Sequence, residues 1–262
     1  PRPGSPAWSM PPRRFRRART SLPAQIGGAA GTLAAVVGLA RLRGLADPVG
    51  AAQTAADATA TALGLTPRAP WHTTRAPLTA AGDALVTAAD AWGRIATDIT
   101  LLTRPEIGEL AEPAGEGRGG SSTMPHKSNP VLSVLIRRHA LAAPPLAATL
   151  HTAAASYVDE RPDGAWHVEW ETLQTLARRS VVAGSQATEL LAGLRVDAAR
   201  MRATAEAAGA DLLAEQRSLT GFVGGEILAG SEAAAGLDDY LGATDALIDS
   251  AVARAHELWK DL

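Results

Sequence analysis

Residues 119–130 read GGSSTMPHKSNP, placing two glycines, two prolines, a pair of adjacent serines, a lysine and an asparagine within one short stretch. Alanine-rich segments with apolar residues at helical spacing flank it on both sides, so a helical protein interrupts itself here with small and polar groups. Glycine ahead of the serines lets the backbone turn and approach a ligand. Ser121 and Ser122 offer hydroxyls, Lys127 a positive charge, and Asn129 an amide two residues further on. A helix expected to begin near Pro130 would present the free N–H groups of its first turn, which suit a carboxylate. A Gly-Ser stretch alone reads as a linker; the full string is far more restrictive.

On either side of the loop the helical pattern is long. Helices are expected over 78–104, over 130–158 with a kink at Pro144–Pro145, and over 165–194. All three exceed the usual helix length and point to a bundle of long helices. Toward the N-terminus the spacing reads as helical from Pro23 through Ala46. A second helix has Asp47 as N-cap, Pro48 at its first position and Gly64 at its end. Pro67, Pro70 and Pro77 mark a loop around WHTTR (71–75). Beyond RVD (195–197) the helices shorten to 197–208, 211–230 and 243–260. The expected organisation is all-α: a basic segment 1–22 without ordered structure, a bundle over 23–195, and a small C-terminal helical domain over 196–262. No repeat or strand is expected.

Composition agrees with this class. The chain has 262 residues, 46% of them hydrophobic and only 4% aromatic, so alanine, leucine and valine supply the apolar surface. A net charge of −2 argues against a general nucleic-acid binder, and no apolar run reaches membrane-spanning length. Cysteine is absent, which removes disulfides and thiolate metal sites and fits a reducing, cytoplasmic setting. The scattered histidines lack metal-site spacing, so neither a metal nor another cofactor is expected. Residues 1–21 carry six arginines, five prolines and no acid, as a basic tail, a targeting-like segment or a reading-frame remnant would.

The string GSSTMPHKSNP resembles the signature loop of the fumarase/aspartase superfamily, whose members add or eliminate groups beta to a carboxylate. The resemblance implies Ser121 as general base with Ser122 beside it. It implies Lys127 and Asn129 as contacts to substrate carboxylates, with Thr123 and Met124 in the same substrate-binding stretch. A serine hydroxyl serves as a base only where donors and charge hold the alkoxide, as a closed loop could. LPAQIGGAAGTLAA (22–35), WHTTR (71–75), EIGELAEPAGEGRGGSSTMPHK (106–127) and DERPDGAWHVEWETL (159–173) are similar to the 3-carboxy-cis,cis-muconate cycloisomerases. Adenylosuccinate lyases carry a serine and an arginine for a nucleotide phosphate where this chain has Trp166 and Trp170, and indoles cannot make those contacts.

The implied reaction is addition of one carboxylate of a small tricarboxylate across its own double bond to give a lactone, within protocatechuate catabolism. Arg161, Arg75 and His72 join the substrate-binding set, with His167 as a further donor. Each has a plainer reading: Arg161 as a helix cap, the histidines as packing residues, Trp166 and Trp170 as core, and Arg137, Arg138 and His139 as a solvated or intersubunit face.

The likeness departs in two respects. Ser128 stands where the family has arginine, and the segments expected ahead of GGAAGT, which carry two further active-site motifs, are not found. A separately encoded N-terminal chain is therefore an expected partner, alongside a homotetramer. The alternatives are another superfamily lyase and a non-catalytic helical assembly protein.

Overall fold

The computed structural model describes residues 22–113, 115, 118–120, 123, 129–160, 163–214, 218 and 237–260. The basic N-terminal segment and most of the expected 211–230 helix lie outside them. The all-α class holds. Helices α1 (Ala34–Leu42), α2 (Pro48–Ala62), α3 (Ala76–Leu102), α4 (Val131–Ala155), α5 (Ala165–Ala192), α6 (Ala198–Ala207), α7 (Gly209–Leu212) and α8 (Thr244–Lys260) follow in order, with a short 3-10 turn at Leu237–Tyr240. No described helix is long and apolar enough to cross a membrane.

The chain forms two compact units. One comprises the described residues within 22–95 and 135–187. Its core joins Ala89 of α3, Ala143 and Leu150 of α4, and Leu176 of α5, with Leu85, Val86, Leu146 and Leu173 packed around them. Small residues set the helix spacing: a Cβ on Gly82 would lie 2.6 Å from Leu150 Cδ1, and one on Gly93 would overlap Ala140. Burial of each leucine contributes about 1.5–3 kcal/mol, so few large side chains suffice where alanine lets helices pack closely. Asp47 caps α2 by accepting from Gly50 N at 2.9 Å, with Pro48 in the first turn, and the chain leaves α2 through Gly64 in a left-handed conformation.

Helix formation expected from Pro23 begins only at Ala34. Residues 22–24 instead pair with Thr66: Thr66 N donates to Leu22 O at 2.9 Å, and Ala24 N to Thr66 O at 3.2 Å, while further on Leu33 N donates to Gly27 O at 2.9 Å. Several glycines make helix costly there, at about 1 kcal/mol each relative to alanine, so tertiary pairing wins. The prolines at 144 and 145 lie inside one continuous helix, as the expected 130–158 span has them. Both are exposed, and α4 continues through them to Ala155.

The other unit comprises the described residues within 96–134 and 188–260. It holds a two-residue antiparallel ladder that the sequence pattern does not show: β1 (Leu110–Ala111) against β2 (Arg195–Val196), with Leu110 opposite Val196. The chain turns into α6 at Asp197, whose side chain accepts from Arg200 N at 2.9 Å and whose N–H donates to Glu109 O at 2.9 Å. The Arg200 guanidinium then donates to the carbonyl of Ile107, tying α6 to the segment that leads into the loop.

Candidate functional site

The signature loop belongs to the second of these units. Ser121, Ser122, Met124, Lys127 and Arg161 lie outside the described residues. What is described is the frame that carries them. Asn129 N donates to Gly119 O at 2.8 Å, and Asn129 Nδ2 reaches the same oxygen at 3.3 Å, so the two ends of the loop are joined. Gly119 has φ +82, and a Cβ there would stand 3.1 Å from Asn129 O. Glycine is required at this closure on both counts. Thr123 is exposed, and Asn129 is half-buried.

Val131 N turns back to Asn129 O at 2.9 Å as the chain enters α4. The next two N–H groups were expected to await a ligand carboxylate. They have one already: Leu132 N donates to Glu112 Oε2 at 3.0 Å and Ser133 N to Glu112 Oε1 at 2.8 Å. An internal carboxylate occupies this helix terminus, favoured by both the orphan donors and the helix dipole. Arg118, on the approach to the loop, pairs with Glu189 of α5 at 2.7 Å.

The second group of predicted residues lies in the other unit. Arg75 is 8% exposed, and its guanidinium meets a carboxylate of the chain itself: Nε donates to Glu169 Oε2 at 2.9 Å and Nη2 to Oε1 at 2.6 Å. Nη1 donates to His72 O at 3.2 Å, and the guanidinium carbon stands 4.7 Å from the Trp71 ring centroid and 5.4 Å from that of Tyr157. Burial pushes the Tyr157 hydroxyl up to about 12, with Arg75 pulling the other way and Glu169 adding to the rise.

His72 is oriented by Gln25. The Gln25 amide nitrogen lies 2.8 Å from His72 Nδ1, and Gln25 Oε1 accepts from Trp71 N at 2.9 Å. An amide N–H can only donate, so Nδ1 accepts and the His72 hydrogen sits on Nε2. The His72 ring stands 6.3 Å from Trp166, which stacks on Trp170 at 6.0 Å. His72, Trp166, His167, Gly28, Glu160 and Asp163 line a cavity of 440 Å³. Trp166 Nε1 is buried with no partner among the described residues, while Trp170 is half exposed, so the tryptophan pair is only partly core. The cavity's described lining carries two carboxylates, and the arginine that the sequence sets between them is Arg161. Among the described residues no three His, Asp or Glu side chains converge as a metal ion requires.

Arg137, Arg138 and His139 do not share one exposed face. His139 is 5% exposed and its Nε2 lies 3.1 Å from Ser180 Oγ, while Arg138 is exposed. Three residues absent from the sequence-based site organise what is described. Glu112 caps α4, Glu169 pairs with Arg75, and Gln25 sets the His72 tautomer; each acts across a long sequence separation that local pattern does not report.

The family model described as lyase matches residues 8–143, a span that takes in the GGAAGT and WHTTR stretches and the whole signature loop. This chain belongs to the lyase family. Its superfamily is the fumarase/aspartase one, as the loop implied. The lyase chain is 44% identical to nitrosuccinate lyase of Streptomyces davaonensis over 78% of its own length and 42% of that protein's. It is 48% identical to 3-carboxy-cis,cis-muconate cycloisomerase of Pseudomonas aeruginosa over 68% of its length and 36% of the relative's. The solved structure of 3-carboxy-cis,cis-muconate lactonizing enzyme from Pseudomonas putida superposes with a TM-score of 0.70 at 32% identity, covering 97% of this chain and 62% of that one. The chain thus spans about two fifths of the length of the curated relatives it matches.

Proposed function

We propose that this lyase chain supplies the signature-loop segment of an enzyme that makes or breaks a bond beta to a carboxylate, and that its substrate is 3-carboxy-cis,cis-muconate. The observation that carries the reading is the string GSSTMPHKSNP between two ends joined by the Gly119–Asn129 hydrogen bond, at the head of a long helix. In the forward direction a carboxylate oxygen attacks one carbon of the double bond and a C–O bond forms. The π pair moves to the neighbouring carbon, which takes a proton. In reverse, a base removes that proton and the C–O pair departs with the carboxylate. Ser121 holds the proton in either direction, with Ser122 as the adjacent hydroxyl. Lys127, Asn129, Thr123 and Met124 grip the substrate. Arg75 enters as a positioning residue, because it holds Glu169 and the His72 backbone.

A second reading has its own support in the 44% identity to a nitrosuccinate lyase over 78% of the chain. Loss of a proton alpha to a carboxylate and departure of nitrite from the next carbon needs the same base and the same carboxylate grip, with a different leaving group. Self-association accompanies both readings. Val134 and Leu141 on α4 and Val181 and Val182 on α5 are all more than half exposed, and a homotetramer, with a separate N-terminal chain completing the site, would cover such side chains.

The test uses the purified chain, alone and mixed with a polypeptide matching the N-terminal part of the Pseudomonas aeruginosa relative. Loss of carboxymuconate absorbance that disappears in Ser121→Ala is the expected result. Nitrite release from nitrosuccinate, with no change in carboxymuconate, favours the second reading. A folded chain that turns over neither substrate in either condition overturns both and leaves a helical assembly protein.

A further inference from the structure

The 440 Å³ cavity beside His72 is lined by residues of one unit alone, and none of them belongs to the signature loop. A concave site with a few convergent polar groups is the usual form of a small-molecule site. Here the polar atoms can be assigned one at a time. Trp71 N donates to Gln25 Oε1 at 2.9 Å, which turns the Gln25 amide nitrogen onto His72 Nδ1 at 2.8 Å. Nδ1 is therefore an acceptor already in use, and the ring carries its hydrogen on Nε2. That N–H meets no partner among the described residues and, unlike Trp166 Nε1, is not buried. The ring is also held in place. Arg75 Nη1 donates to the His72 carbonyl at 3.2 Å, and Gly27 leaves room for the ring, since a Cβ there would stand 3.3 Å from His72 Cε1.

The rest of the lining complements this donor. The carboxylates of Glu160 and Asp163 have no partner among the described residues, and an ionised carboxylate can only accept. Trp166 contributes carbon surface, because its Nε1 is closed off. His167, whose ring rests against Trp170 at 5.2 Å, completes the polar lining. One fixed donor, two free acceptors and an indole call for a planar group that holds an acceptor oxygen and N–H donors side by side. A primary carboxamide has both and carries no charge. A carboxylate brings no N–H and meets two like charges. An alkylammonium brings N–H groups but nothing that can accept from His72.

We propose that this cavity binds a planar primary carboxamide, with its C=O accepting from His72 Nε2–H and its NH2 donating to Glu160 or Asp163. Gln25 is then the positioning residue that makes His72 a donor. The proposal does not rest on the lyase reading and is tested without turnover.

The probes are benzamide, benzoate and benzylamine, titrated into the chain and followed by NMR at about pH 7.5, where the acid is ionised and the amine protonated. Benzamide is expected to bind roughly tenfold more tightly than either of the others, the effect of one hydrogen bond that each of them lacks. His72→Phe keeps a ring and removes the donor; it should weaken benzamide roughly tenfold and leave benzylamine unchanged. Glu160→Gln with Asp163→Asn alters two exposed side chains and should bring benzoate level with benzamide. Tighter binding of benzoate by the unaltered chain gives the cavity to a carboxylate and overturns the proposal. Tighter binding of benzylamine gives it to a cation and does the same. Full benzamide affinity in His72→Phe, an unchanged benzamide preference in the double variant, or no binding at about 10 mM benzamide, far above a useful dissociation constant, also overturns it. Should His72→Phe not fold, the ranking of the three probes by the parent and by the double variant decides.

Discussion

Glu169→Gln is the substitution for which the structure gives the sharpest expectation. Arg75 and Glu169 are 8% and 1% exposed and share two hydrogen bonds, at 2.9 and 2.6 Å. Glutamine retains the shape and one acceptor, but it turns an amide N–H toward a guanidinium N–H and leaves the Arg75 charge buried without a counter-ion. Removal of one partner from a buried pair costs about 3–5 kcal/mol. The faces of Trp71 and Tyr157 stand near the guanidinium, and each offsets roughly 0.5–1 kcal/mol. The expected loss is therefore about 3 kcal/mol, or roughly a hundredfold in the folding equilibrium constant. Urea denaturation followed by circular dichroism, at one fixed protein concentration, reads this as a lowered midpoint with an unchanged slope. The control is Arg75→Met with Glu169→Leu, which removes both charges and should lie within about 1–2 kcal/mol of the parent, because no ion is left to desolvate. A cost below about 1 kcal/mol for Glu169→Gln, or a double variant as unstable as the single one, would refute the view that an uncompensated buried charge sets the penalty.

Three further outcomes are expected. Gly119→Ala forces a side chain into a conformation of φ +82 with its Cβ 3.1 Å from Asn129 O, and should cost about 1–3 kcal/mol by urea denaturation, with amide exchange of Asn129 accelerated. Glu112→Ala leaves Leu132 N and Ser133 N without their carboxylate and should cost about 1–2 kcal/mol, with faster exchange of those two amides as its local signature. His139 has its folded pKa below the unfolded 6.5, so the folded state resists protonation. Its contribution is complete above pH 6.5 and is lost as pH falls from there toward the folded value; the stability difference between parent and His139→Phe should change over that interval and be flat above it.

The sequence reveals elements and loses partners. Asp47, Pro48 and Gly64 mark both ends of α2, since capping and left-handed exit are local events. The start of α5 after Gly164 and the identity of the signature loop are legible for the same reason. Residues 22–33 are not, because Leu22 and Ala24 pair with Thr66, and helical spacing of apolar residues says nothing about a backbone partner more than forty positions away. Arg75 entered the substrate-binding set through the resemblance, and its counter-ion Glu169, 94 residues on, is shown by no local pattern. His139 follows two arginines and looks solvated, yet one further helical step of about 100° turns it toward Ser180. Each of these contacts has a long sequence separation. Each element found is set by its own neighbours.

Glu112 changes how anion selectivity at the proposed site has to work. A helix terminus beside a glycine-rich loop offers oriented N–H groups and a positive dipole end, and both favour a carboxylate. Here the chain's own carboxylate already takes the N–H groups of Leu132 and Ser133. A substrate carboxylate would have to displace an ion tethered by the backbone and replace two charge-assisted bonds with equivalent ones, for no net gain. The terminus of α4 thus serves to fix the loop's exit, together with the Gly119–Asn129 closure that joins its ends. Under the proposed reaction, the pull on substrate carboxylates then falls to side chains of the loop, chiefly the ammonium of Lys127 and the amide of Asn129. A side-chain grip of this kind can differ between closely related lyases without disturbing the helix beneath it. A carboxymuconate and a nitrosuccinate reading therefore remain compatible with one and the same frame.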